Sequence, residues 1–120
     1  MGMVLQAGSS TTVSNAVTQN GSIDARTFNN TFIYNGSSAQ TIVNPAIGNG
    51  YHNLTLSGSG TKTLPASNVN IAGNLLLDAA LVSSSNTITF NGITPQTLSG
   101  TSSSALNNVT LNNANGLTLS

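Results

Sequence analysis

Apolar residues along this chain come in short bursts that alternate with polar ones. The clearest are Phe32-Ile33-Tyr34, Leu54-Thr55-Leu56, Val69-Asn70-Ile71, Thr87-Ile88-Thr89-Phe90 and Val109-Thr110-Leu111. A period of two is that of an extended strand with one face turned in and one turned out. Turn chemistry bounds the bursts: Asn35-Gly36, Gly58-Ser59-Gly60, Gly73-Asn74, Asn91-Gly92 and Asn115-Gly116. Their centres lie roughly 17 to 22 residues apart. The pattern predicts an all-β chain with Ile33, Leu54, Leu56, Ile71, Leu75, Leu77, Ile88, Phe90, Val109 and Leu111 facing inward.

The chain also repeats itself. Tyr34-Asn35-Gly36 followed by Gln40-Thr41-Ile42 matches Phe90-Asn91-Gly92 followed by Gln96-Thr97-Leu98, 56 positions on. Asn53-Leu54-Thr55-Leu56 matches Asn108-Val109-Thr110-Leu111, and Thr63-Leu64 matches Thr118-Leu119, both 55 positions on. The chain reads as a single repeat domain: an N-terminal stretch 1–30, a first unit 31–86 and a partial second unit 87–120. Two architectures fit. One is a β-solenoid, a parallel β-helix with rungs of about 20 residues, about three to each unit. The other is a β-sandwich of pilin type with short strands and frequent turns. The solenoid is favoured, because a sandwich has no reason to repeat at this interval.

The run Tyr51-His52-Asn53-Leu54-Thr55-Leu56-Ser57-Gly58-Ser59-Gly60-Thr61-Lys62-Thr63-Leu64, with Val69-Asn70-Ile71-Ala72-Gly73-Asn74-Leu75 and the Phe90 motif, resembles repeats of large secreted surface proteins and adhesins of Bacteroidetes-type bacteria. The likeness covers about 31–120, and the second unit lacks the Tyr and Lys. It implies β-solenoid segments of surface fibres.

Composition narrows the function. Asn (18), Ser (17), Thr (16) and Gly (12) make up over half of the 120 residues, and these are mediocre or poor helix formers. Only Asp24, Arg26, Lys62 and Asp78 carry charge, and the net charge is zero. Nucleic acid has no electrostatic handle on such a chain. The absence of Cys excludes disulfides and thiolate metal sites. No apolar run reaches the roughly 18 residues of a membrane span. A surface nearly free of Lys and Glu points outside the cytosol, to the cell surface or beyond.

Candidate chemistry is sparse. His52 with Asp24 or Asp78 is the only acid–base set, and two carboxylates without a Glu give a glycosidase or a calcium site little to work with. Asp24 and Arg26, two apart, read as a local ion pair. Thr61-Lys62-Thr63 and Thr87-Ile88-Thr89 carry the T-x-T pattern of ice-binding faces, which strand propensity alone accounts for. N-x-S/T sequons at Asn20, Asn29, Asn35, Asn53 and Asn108, and the serine runs 83–85 and 102–104, are candidate glycosylation sites. No enzymatic activity, cofactor or metal is expected.

No capping signal flanks the strands. The expectation is a structural subunit of an extracellular fibre, paired with itself head to tail through Met3, Val4 and Leu5 at one end and Leu117 and Leu119 at the other. The alternative is an adhesin stalk or glycan-binding segment of a larger surface protein.

Overall fold

The computed structural model describes residues 1–83 and 85–120. Fifteen strands alternate with turns, and no helix occurs among the described residues. They are β1 (Gly2–Val4), β2 (Ser10–Val13), β3 (Ser22–Asp24), β4 (Thr31–Tyr34), β5 (Gln40–Thr41), β6 (Gly50–Tyr51), β7 (Asn53–Leu56) and β8 (Lys62–Thr63). Then follow β9 (Val69–Ile71), β10 (Leu75–Leu77), β11 (Leu81–Val82), β12 (Thr87–Phe90), β13 (Gln96–Ser99), β14 (Asn108–Leu111) and β15 (Leu117–Leu119).

Among the described residues every strand pairing is parallel, and no two consecutive strands pair. That excludes the sandwich, whose hairpins are antiparallel. The chain is a β-solenoid of about six turns. Face one carries β1, β3, β6, β9, β12 and β14, with a single bridge between Ala25 and Tyr51 joining β1–β3 to the rest. Face two carries β2, β4, β7, β10, β13 and β15, and face three carries β5, β8 and β11. Rungs differ in length: Ile88 pairs with Val69, 19 residues back, and Leu98 with Leu75, 23 residues back.

The core is a set of columns running along the axis. Thr11, Phe32, Leu54, Leu75, Leu98 and Leu119 stack in register on face two. Ala25, Tyr51, Ile71, Phe90 and Leu111 stack on face one. Phe32 and Tyr34 meet at a ring separation of 5.1 Å, and Phe32 and Tyr51 at 5.5 Å. The tyrosine hydroxyls bond each other at 3.0 Å, and Tyr51 also donates to the Val43 carbonyl.

Of the expected inward residues, Leu54, Leu56, Ile71, Leu75, Leu77, Ile88 and Phe90 are buried. Ile33 is a correction: Phe32 and Tyr34 point in, and Ile33 lies half-buried on the outer side. All three residues of that burst are apolar, so alternation could not choose, and the larger aromatics took the core. Val109 and Leu111 pair with inward Ile88 and Phe90 but are 47% and 52% exposed, because they belong to the last rung.

The 56-residue repeat does not equal three rungs. Tyr34 lies in β4 on face two, and Phe90 in β12, eight strands on, on face one. With three faces to a turn, the repeat advances two and two-thirds turns. The same sequence unit therefore builds different faces.

Turns between faces are tied along the axis by asparagines. Asn53 Nδ2 donates to Asn30 O and Asn29 Oδ1, both at 2.9 Å. Asn53 Oδ1 accepts from Asn74 N at 2.8 Å, and Asn74 Oδ1 accepts from Thr97 N at 2.8 Å. Each side chain bridges adjacent rungs, adding a second bond to the Asn30 carbonyl and pairing the N–H groups of Asn74 and Thr97.

Candidate functional site

The two end rungs carry the residues expected to mediate assembly. At the first, β1 pairs with β3, Met3 opposite Ile23 and Val4 opposite Asp24. Met3 and Val4 are 43% and 50% exposed, while Leu5 is buried in the core, its N–H donating to Asp24 O at 2.9 Å. Strand alternation puts Val4 on the outer side, so its part in any ladder is main-chain. Val17 and Ile23 pack beside this end and, with Met1 and Met3, line an apolar cleft.

At the last rung, β15 pairs with β13, Leu117 opposite Gln96 and Leu119 opposite Leu98. Leu117 is half-buried against the core, and Leu119 is 71% exposed. With Val109 and Leu111 it leaves an apolar surface across the end. Face three carries no strand in the first rung, at residues 14–21, or in the fifth, at residues 100–107, and the sixth rung consists of β14 and β15. On faces one and two the free strand edges are β1 and β2 at one end and β14 and β15 at the other, while the edge strands of face three, β5 and β11, lie further in, beside residues 14–21 and 100–107. Strands at both ends run the same way, so the donor and acceptor rows of one end complement those of the other.

The titratable residues have separate structural roles. Asp24 Oδ1 accepts from the main-chain N–H of Arg26 at 3.1 Å and of Thr27 at 2.9 Å. Burial pushes its pKa up, but the Thr27 side chain together with those two N–H groups outweighs burial and holds it below the ordinary carboxylate value. The guanidinium does not pair with it: Arg26 Nη2 donates to Asn91 Oδ1 at 3.0 Å. Asp78 follows β10 and accepts from Thr101 N at 3.0 Å and Thr101 Oγ1 at 3.2 Å. His52 Nδ1 lies 3.3 Å from Arg26 O. Among the described residues, no three His, Cys, Asp or Glu gather as metal ligands.

Among the sequon asparagines, Asn20, Asn29, Asn35 and Asn108 are exposed. Asn35 Oδ1 accepts from Ser14 Oγ at 2.8 Å, and Asn53 is committed to the asparagine column. Of the serine runs, Ser84 lies outside the described residues.

Sequence reasoning missed the buried polar plugs. Gln40, Lys62 and Gln96 lie inside the coil and fill its corners. Lys62 Nζ donates to Gly36 O at 3.1 Å and to Gly60 O. Burial pulls its pKa down. The glutamine spacing of four from each Asn-Gly glycine was the readable signal.

No protein-family model, curated protein or solved structure matches this chain.

Proposed function

We propose that this chain is a structural subunit that stacks end to end, the last rung of one copy continuing into the first rung of the next. A head-to-tail contact that does not close builds a filament. The carrying observation is the column Thr11–Phe32–Leu54–Leu75–Leu98–Leu119, which runs unbroken from one free edge to the other. A second copy set on the end in the same register brings its Thr11 over Leu119 and its Met3 over Val109. Added strands would satisfy the open main-chain groups, as in strand addition generally. Met3, Leu119, Val109 and Leu111 would be covered.

The near absence of charge and the likeness of Tyr51–Leu64 to secreted surface repeats support an extracellular bacterial fibre. In the alternative, a stalk of a larger surface protein, the same edges meet further rungs of one chain.

Cross-linking tests the register. The chain has no cysteine. In a solenoid ladder, neighbouring Cα atoms lie about 4.8 Å apart, within disulfide range. The double variant Thr11→Cys, Leu119→Cys should give an oxidised ladder of covalent multimers on a denaturing gel. A monomer band alone, at concentrations where the wild-type chain is tested for fibres, would remove the end-to-end reading.

A further inference from the structure

The corner from face one to face two changes length along the stack. It takes residues 26–30 in the second rung and 91–95 in the fifth, but only His52 in the third and 72–74 in the fourth. Long corners project beyond short ones. The third and fourth rungs are thus the floor of a notch between two walls, about 10 Å wide at the usual rung spacing. Two adjoining hollows occupy it and share Asn29, His52 and Thr94. The chain's only histidine and only arginine meet here.

Arg26 reaches across the notch to Asn91, 65 residues away in sequence. Its stem lies over Gly48, where φ is +65° and an added Cβ would stand 2.4 Å from Arg26 Cδ. Glycine at 48 is what lets the arginine lie flat. The guanidinium is incompletely paired: Nη2 has a neutral amide oxygen, and Nη1 is buried without a partner among the described residues. The carboxylate two residues before it is spent on main-chain N–H groups. The other cationic side chain, Lys62, is fully buried and bonded to carbonyls.

We propose that this notch binds a carboxylate-bearing sugar unit of an acidic glycan. A guanidinium fork matches a carboxylate with two parallel bonds, and a charge-assisted bond is about twice as strong as a neutral one. The ligand carboxylate therefore displaces Asn91 Oδ1 and takes both arms of Arg26. The amides of Asn29 and Asn91 and the imidazole of His52 offer paired donors and acceptors to ring hydroxyls. Ile93, 90% exposed on the far wall, gives the sugar's C–H face an apolar edge. The site stands on the notch alone and is independent of the fibre reading.

Isothermal titration with tetragalacturonate and with its methyl ester tests this. The ester keeps the hydroxyls and removes the charge. Saturable binding of the acid is expected, with the ester about tenfold weaker, the ratio that exchanging a charge-assisted for a neutral pair produces. Arg26→Gln should abolish the preference for the acid. Asn91→Asp supplies a resident carboxylate to the fork, so it should melt no lower than wild type and still lose the acid ligand. No saturable binding of the acid, equal binding of acid and ester, or unchanged binding by Asn91→Asp would overturn the proposal.

Discussion

Gln40 and Gln96 lie on different faces of the solenoid and make the same three-point contact. Each gives its side-chain oxygen to the N–H of the glycine four residues earlier, Gly36 at 2.7 Å and Gly92 at 2.9 Å. Each donates through Nε2 to two carbonyls of the preceding rung: Val13 and Asn15 for Gln40, Ile71 and Gly73 for Gln96. The Asn-Gly-x-x-x-Gln unit is a self-contained corner with its own plug. That is why it can recur after two and two-thirds turns and work on either face.

Removing a plug leaves the glycine N–H and one carbonyl, Asn15 O or Gly73 O, without their partner, while Val13 O and Ile71 O keep the N–H groups of Asn35 and Asn91. A buried group left unpaired costs about 1–3 kcal/mol. Gln96→Ala is expected to destabilise the fold by about 2–4 kcal/mol in urea titration, and Gln40→Ala by a similar amount. A loss below about 1 kcal/mol in both would show that water replaces the amide without penalty.

The pH profile should have a rise and a fall. Burial lowers the Lys62 pKa, so between that value and the ordinary lysine value the unfolded chain holds a proton the folded chain has lost. Stability then increases with pH across that window. Burial raises Tyr34 and Tyr51. Above the ordinary tyrosine value of about 10, the unfolded chain loses protons the fold retains, and stability decreases. Above the carboxylate range, where Asp24 no longer titrates, thermal melts should show both limbs in the wild type and only the alkaline fall in Lys62→Met. A rise that persists in that variant would assign it to another group.

Phe32 and Ile33 separate the two sides of β4. Phe32→Ala should cost about 3–5 kcal/mol, since it empties the space between Tyr34 and Tyr51. Ile33→Ala should cost under about 2 kcal/mol, because its side chain is only half-buried on the outer side. Chemical denaturation of both variants decides, and equal losses would contradict the register of face two.

Strands and corners were legible in this sequence because Thr, Asn and Gly mark them at every rung. The bursts at Leu54, Val69, Thr87 and Val109 all became strands. The side taken by Ile33 was not legible, since its neighbours compete for the core by size rather than polarity. Exposure at Val109 and Leu111 depends on where the stack stops, which alternation within a strand does not encode. The notch was hidden for a different reason: Arg26 and Asn91 become neighbours only through corner lengths in the intervening rungs.

Assembly should depend on the end strands and hardly on salt. Backbone ladders and apolar contact, worth about 25 cal/mol per Å² buried, are not screened by ions. High salt should leave fibres intact. Deleting residues 1–13 removes β1 and β2, and Thr118→Pro takes a donor from β15. Each should give soluble monomers or short oligomers with β-type circular dichroism. Long regular fibres from the truncated chain would move the contact to the lateral faces.

The axial repeat of the assembled fibre tests the central claim most directly. Six rungs at a strand spacing of 4.7–4.9 Å give a rise of about 29 Å per subunit. Electron micrographs of fibres should yield that rise, with strong meridional intensity near 4.8 Å from strands lying across the axis. Fibres with a different rise and no such meridional intensity, or only single particles at high concentration, would contradict end-to-end continuation of the solenoid.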